Sequence, residues 1–433
     1  MSFTSIQKRA LFLSSLGGVL EYYDFIIYIF LAPMLEKIFF ADNSAEVAIL
    51  KTLAIFSIGY LLRPLGGIIF SHFGDRYGRK VVFLLTVVFM ALPSFGIGLL
   101  PTPAQIGIAS PILLLLLRMM QGLALGGEIP AAITFVAEHA PDNRRGFALA
   151  TLFFGINMGL MLGSFSTTVL TSMFTTSQII DYAWRILFLI GGICGLASVF
   201  VRRYLHETAA FSALKKEELQ RIPFVTLIKQ ANKQVIQGML LVSIGCVSVF
   251  LYLYFPQYLH QYFHYNYDEV MRINTLSVFL MNINILIGGW MVDRFGGRIV
   301  YLIITACLAV CTYPLFLILN NGSTAALVFV YFAFSMMFGF IPASYCDMIS
   351  RLFPTSIRYS GVAASYNIAF AFFGGLSPVI CTLVIQIFGS PFAPAGYMAA
   401  IAVLCCLSCY FGKRIFSHRE EKITPSSLVE TVS

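Results

Sequence analysis

Apolar residues run along this chain in long blocks separated by short polar segments. The blocks lie near 12–37, 50–71, 81–100, 110–137, 147–171, 184–205, 236–258, 273–292, 299–319, 324–350, 359–387 and 394–412. A helix needs about 20 apolar residues to cross the hydrocarbon core of a bilayer, and each block is near that length. The pattern predicts an all-α membrane protein of twelve transmembrane helices. The longest polar stretch, 206–233, falls between helices 6 and 7 and divides the chain into two six-helix halves. The expected organisation is a first lobe over 1–205, a linker over 206–234, a second lobe over 235–414 and a disordered tail over 415–433. The linker can form a short amphipathic helix with Phe211, Leu214 and Leu219 toward the lipid headgroups.

Composition agrees with this reading. Hydrophobic residues make up 58% of the 433 and charged residues 11%, against about 25% charged in soluble domains. The net charge of +8 does not point to nucleic acid, because the placement of the bases accounts for it. Of the chain's 28 Lys and Arg residues, 22 fall in the termini and the even-numbered gaps between helices. Lys37, Lys51, Arg185 and Arg272 fall on the opposite side, and Arg63 and Arg118 lie inside helices. The positive-inside rule then makes the crowded side cytoplasmic and puts both termini there. No cleavable signal pattern follows Lys8 and Arg9, so the first helix is expected to serve as its own insertion signal. The nine cysteines all fall in apolar helices without metal-binding spacing and read as small packing residues.

Two loops stand out against the apolar background. Phe70–Lys80 reads FSHFGDRYGRK and concentrates Gly74, Asp75, Arg76, Gly78, Arg79 and Lys80 between helices 2 and 3. A weaker copy, GGWMVDRFGGR over Gly288–Arg298, carries Asp293 and Arg294 a little over 200 residues later. The first loop resembles the signature between helices 2 and 3 of the major facilitator superfamily of secondary transporters. That resemblance implies two pseudo-symmetric lobes rocking around a central site, with these loops gating the cytoplasmic side.

Ionisable residues within the helices are the candidates for function, since a charge at mid-membrane costs roughly 2.5–3.5 kcal/mol on insertion scales. They are Glu21 and Asp24 on helix 1, Arg63 on helix 2, Arg118 and Glu128 on helix 4 and Asp347 on helix 10. Glu21, Asp24 and Tyr28 share one helix face by their spacing. A carboxylate in apolar surroundings can take up and release a proton near neutral pH, and Asp24 is the first candidate for that role. A static ion pair with an arginine is the alternative. Arg118 offers a planar fork that can grip an anionic substrate or an acid across the cavity, and Gln121 follows it one turn on. Pro64, Gly66 and Gly67 interrupt helix 2 beside Arg63 and can open space for a ligand. Asn282 and Asn284 on helix 8 are candidate hydrogen-bonding groups. Tyr252, Tyr254, Tyr258 and Tyr262 on helix 7 are either an aromatic wall for a quaternary ammonium or an interfacial belt. Gly155, Gly159 and Gly163 on helix 5 let two helix backbones approach closely, and Gly122, Gly126 and Gly127 repeat the device on helix 4. No His/Asp pair or metal cluster points to an enzyme.

Several segments sharpen the resemblance: EYYDF, RPLGG running to GDRYGRK, RMMQGLALGGE with AEHAP, WRILFLIG with RRYLHET, and LFPTSIRYSG with YNIAF. Together they resemble the metabolite:proton symporter family, which includes carriers of α-ketoglutarate, citrate, shikimate, and proline or glycine betaine. Membership implies a bacterial inner-membrane importer that couples a small carboxylate or zwitterion to the proton gradient, with Arg118 helping to couple the two. An expected monomer, it would need no cofactor beyond the coupling proton. A proton-driven exporter is the alternative. Osmosensing betaine carriers of that family carry an extended C-terminal coiled coil, and 415–433 shows no heptads.

Overall fold

The computed structural model describes residues 4–40, 45–202, 227 and 231–412. The expected tail, and all of the expected linker except residues 227 and 231–234, lie outside the described residues. So does the side chain of Glu21.

Ten helices among the described residues are long and apolar enough to cross a membrane, and two bent pairs complete the twelve. Helix 1 runs Ser5–Phe30 and bends 62° into Ala32–Phe39. Helix 2 is Ala45–Leu61 continued by Arg63–Tyr77, helix 3 Arg79–Leu99 and helix 4 Ala109–His139. Helix 5 is Arg145–Met173 and helix 6 Trp184–Arg202. Helix 7 joins Asn232–Val249 to Phe255–Phe263 through a π-helical turn, Phe250–Tyr254. Helices 8 and 9 are Tyr267–Phe295 and Gly297–Leu319. Helix 10 is Thr324–Gly339 continued by Ile341–Leu352. Helix 11 is Arg358–Ala369, a π-helical Phe370–Gly375 and Ser377–Phe388, and helix 12 is Ala393–Phe411.

The interruptions have a local cause. Helices 2, 7, 10 and 11 each restart with a proline in the first turn: Pro64, Pro256, Pro342 and Pro378. Proline has no N–H to give and is best accommodated in the first turn of a helix. Pro130, in contrast, sits inside an unbroken helix 4.

Helices 1–6 pack into one lobe and helices 7–12 into the other. Glycine contacts hold the first lobe together at close range. A methyl group at Gly155 would come within 2.8 Å of the Ser15 carbonyl oxygen, and one at Gly159 would collide with that of Val19. Helix 5 therefore lies backbone to backbone against helix 1. Gly122 and Gly126 do the same for helix 4 against Gly59 and Arg63 of helix 2. Between the lobes, helix 5 packs on helices 8 and 10, and helix 11 packs on helices 2 and 4. The two signature loops and the first turns of helices 5 and 11 gather at one end, which we term the basic end.

Candidate functional site

Where the two lobes face each other at mid-depth, a cavity opens. About 600 Å³ of empty space, part of it open to solvent, lies among helices 1, 2, 4, 5, 7, 8, 10 and 11. Its walls are mostly apolar, with Tyr22, Phe153, Phe338, Tyr345, Tyr366 and Phe370 supplying aromatic faces. Arg63 is the one charged side chain lining it among the described residues. The break at Leu62–Pro64 brings Arg63 to the head of the inner half of helix 2. Its guanidinium is 1% exposed and sits 4.7 Å from the Phe370 ring centroid, 5.4 Å from Tyr60 and 5.6 Å from Tyr366. Arg63 Nε donates to Asn367 Oδ1 at 3.4 Å, and Nη2 has no hydrogen-bond partner among the described residues. A buried cation with a vacant donor, ringed by π faces, is arranged to receive an anionic group.

Arg118 lies elsewhere. It is fully buried within the first lobe, and its guanidinium is 4.3 Å from the Tyr28 ring centroid and 4.8 Å from that of Phe25. It donates to Gln121 Oε1 at 2.8 Å, and Gln121 Nε2 donates to Ser94 Oγ at 2.6 Å. It lines no part of the central cavity. Asp24 is 1% exposed, and its Oδ1 has no hydrogen-bond partner among the described residues. The alternative reading, a static ion pair between Asp24 and an arginine, has no counterpart among the described residues. Instead Asp24 and Glu128 line a small chamber inside the first lobe with Thr86, Ser198, Gly17 and Gly195. Thr86 Oγ1 donates to Glu128 Oε2. A side chain at Gly191 would occupy the place of the Asp24 carboxylate, so helix 6 needs glycine there. Tyr28 faces the same interior, its hydroxyl donating to the Thr52 carbonyl at 3.1 Å.

At the basic end the lobes are locked together by a nearly twofold pattern. Asp75 Oδ1 and Oδ2 accept from the backbone N–H groups of Tyr359 at 3.3 Å and Ser360 at 2.8 Å, in the first turn of helix 11. Asp293 Oδ1 and Oδ2 accept from Gly146 at 2.6 Å and Phe147 at 3.0 Å, in the first turn of helix 5. Each acid sits where the N–H groups and dipole of a helix start favour negative charge. The first residue of each of those helices is an arginine that crosses to the other lobe. Arg358 pairs with Glu138 at 2.9 Å, and Arg145 pairs with Asp347 at 3.4 Å. Arg79 bridges Asp75 at 3.1 Å and Glu138 at 3.6 Å. Arg76 is exposed, Lys80 is partly buried, and Arg294 packs on the Trp290 and Phe295 rings. Gly74 makes room for the Tyr359 ring, and Gly78 takes φ 107° at the turn into helix 3.

Three sequence expectations change. Asp347, expected on the cavity side of helix 10, does not line the central cavity; it lies at the basic end, also bonded to Arg351 at 2.8 Å. Asn282 donates to Met161 Sδ at 3.4 Å and Asn284 to the Ser335 carbonyl at 3.4 Å, so neither lines the cavity. The helix 7 tyrosines point into their own lobe. Tyr252 contacts Ser335, Tyr254 contacts Thr382 and Tyr258 contacts the Pro391 carbonyl. The aromatic wall comes from helices 1, 5, 10 and 11 instead, because these helix 7 tyrosines reach helix 10, helix 11 and the segment before helix 12 within their own lobe.

Sequence reasoning missed Asn367, Arg145, Arg358 and the crossing role of Glu138. A signal existed for the two arginines. Pro141 precedes Arg145, and Pro354 precedes Arg358, at the same four-residue spacing. Both intervals fold as a single 3-10 turn, Asp142–Arg144 and Thr355–Ile357.

Comparison with known proteins bears on this arrangement. The profile described as Major Facilitator Superfamily matches residues 14–378 and 254–430. The chain is 33% identical over 411 residues to the proline/betaine transporter of Escherichia coli strain K12, covering 92% of this chain and 81% of that relative. The proline/betaine transporter of Salmonella typhimurium strain LT2 gives the same 33%, 92% and 81%. Among solved structures, the proton:xylose symporter XylE bound to 6-bromo-6-deoxy-D-glucose aligns with a TM-score of 0.75 at 17% identity, over 96% of this chain and 97% of that one. The human organic anion transporter MFSD10 aligns with a TM-score of 0.71 at 14% identity, over 93% and 99%. These two structures share the fold.

Proposed function

The chain belongs to the major facilitator superfamily, and on that premise we propose that it is a proton-coupled carrier importing a small carboxylate or zwitterion by alternating access. It is a carrier rather than an enzyme, and it acts as a monomer without a cofactor. The basic end is the cytoplasmic end, both termini lie there, and the membrane is the bacterial inner membrane. The segment 206–234 tethers the two lobes.

The observation that carries this reading is Arg63. One buried guanidinium with a vacant Nη2 can take one carboxylate in a bidentate grip. No acidic side chain lines the cavity among the described residues, so the far end of the ligand meets aromatic faces. Those faces suit an ammonium group, which a π face attracts by roughly 0.5–2 kcal/mol. Proline and betaines each combine one carboxylate with one cationic nitrogen, and the relatives named above are proline/betaine transporters. A di- or tricarboxylate would leave charge unpaired against an apolar wall, which is costly.

The acids serve the proton. Asp24 and Glu128 stand apart from the central cavity, so proton and substrate occupy separate compartments of the first lobe and the lobe interface. Arg118, with Gln121 and Ser94, lies on the Asp24 side of that division. Asp24 loads a proton from outside and releases it inside after the lobes rock.

Purified protein in proteoliposomes with an acidic exterior tests the proposal. Labelled proline and glycine betaine are expected to accumulate, a protonophore to abolish accumulation, and Arg63→Gln to abolish binding in calorimetry. Absence of uptake with carboxylates and zwitterions alike, or unchanged binding by Arg63→Gln, would overturn it.

A further inference from the structure

We infer that Asn367 is a positioning residue that holds Arg63 in the empty carrier and gives it up to the carboxylate of the substrate, so that binding loosens the cytoplasmic closure. The inference rests on the reading of Arg63 as the carboxylate site.

Helix 11 is fastened to the first lobe along one line. At the cytoplasmic end Asp75 accepts from the N–H groups of Tyr359 and Ser360. Next, the Tyr359 hydroxyl donates to the Gly127 carbonyl at 2.8 Å. Farther in, Asn367 Nδ2 donates to the Gly126 carbonyl at 2.7 Å. Asn367 Oδ1 then accepts from Arg63 Nε at 3.4 Å, at the edge of the cavity. The amide of Asn367 is thus the last fastening of the closure and the nearest to the ligand. It is fully buried, and Gly67 leaves it room, since a side chain there would occupy its place.

The chemistry makes this fastening conditional. A guanidinium buried at 1% exposure is costly without an acceptor. In the empty carrier, helix 11 cannot swing from the first lobe without stripping Arg63 of Asn367, so the closure holds. A ligand carboxylate offers a charged acceptor with better geometry than the long bond to the amide oxygen. Once Arg63 binds it, the departure of Asn367 no longer leaves the guanidinium bare. The ligand gains more in the state where helix 11 has moved, and that differential affinity is what drives a conformational change. An ammonium group has no such effect, because it cannot accept from Arg63.

Hydrogen–deuterium exchange of the full chain in nanodiscs tests this, read over residues 358–369. Proline and glycine betaine are the probes, with choline as the cation lacking a carboxylate. In the wild type the two carboxylates are expected to speed exchange and choline to leave it unchanged. Asn367→Ala removes both hydrogen bonds of the fastening, so exchange without ligand should rise by at least about fivefold, and probes should add little. Asn367→Asp supplies a permanent internal carboxylate. It should compete with the probes, weakening binding of both at least about tenfold as a charged partner does; exchange is not compared in this variant, because Asp offers no N–H to the Gly126 carbonyl. Wild-type exchange in ligand-free Asn367→Ala overturns the inference, as does undiminished probe binding by Asn367→Asp. The ligand-free arm needs no transported substrate. Failure of the carboxylate reading would therefore appear as absent probe binding in the wild type, separately from failure of the fastening.

Discussion

Asp75 and Ser360 are 285 positions apart in the chain, yet a 2.8 Å hydrogen bond joins the carboxylate of one to the backbone N–H of the other. An acid in the last turn of helix 2, in the first lobe, thereby caps a helix of the second. Asp293 repeats the relationship in reverse on helix 5. Asp75→Asn keeps the shape and removes the charge. A hydrogen bond to a charged group contributes about 1.5–3 kcal/mol, so the closed basic end should lose at least about tenfold in population. Uptake should slow, and exchange at 358–362 should rise. Asp293→Asn should act likewise at 145–149. A normal exchange pattern in both variants would show that the caps do not hold the closure.

Arg118→Lys separates coupling from binding. Lysine retains the charge but loses the bond to Gln121 and the planar packing on Tyr28 and Phe25. Because Arg118 lies outside the central cavity, substrate affinity should stay within about twofold while gradient-driven uptake falls at least tenfold, about 1.4 kcal/mol in barrier terms. Parallel calorimetry and proteoliposome uptake decide the matter. Equal losses in both would place Arg118 in contact with substrate.

Asp24→Asn fixes the site in a neutral form. Uphill accumulation driven by a pH gradient should vanish, while substrate exchange across the membrane persists and loses its dependence on external pH. Undiminished accumulation would transfer the proton role to Glu128 or Glu21.

Gly126→Ala tests the packing of helix 4 on helix 2. The added methyl group would collide with the Arg63 carbonyl oxygen, a backbone atom that cannot turn aside. Overpacking of this kind costs about 1–3 kcal/mol, so the melting temperature in detergent should fall by several degrees. Gly396→Ala in helix 12 is the control, since nothing lies within 4 Å of a methyl group there, and it should leave melting unchanged. Equal melting of the two variants would show that the close approach is not needed.

Much of this protein was legible along the chain. Twelve spans follow from runs of apolar residues, because a helix that satisfies its own backbone is what a bilayer admits from such runs. The acids Asp75 and Asp293 were visible as a motif and its copy at half-chain spacing. The glycines of helices 4 and 5 announced close packing through their four-residue period. All of these are local or periodic signals. What faces what is not. Arg63 and Arg118 look alike in sequence, each a lone base in an apolar helix. Only the rotation and tilt of helices 2 and 4 send one into the central cavity and the other among the rings of the first lobe. Asn367 carries no periodic mark, and its meaning depends on Arg63, 304 residues away. Asp347 read as a cavity residue of the helix 10 span until the reach of Arg145 placed it at the basic end. Hydropathy and spacing are properties of one segment and its surroundings in the bilayer. The partner of a buried charge is set by how several segments pack together, and so the site was decided by the tertiary structure.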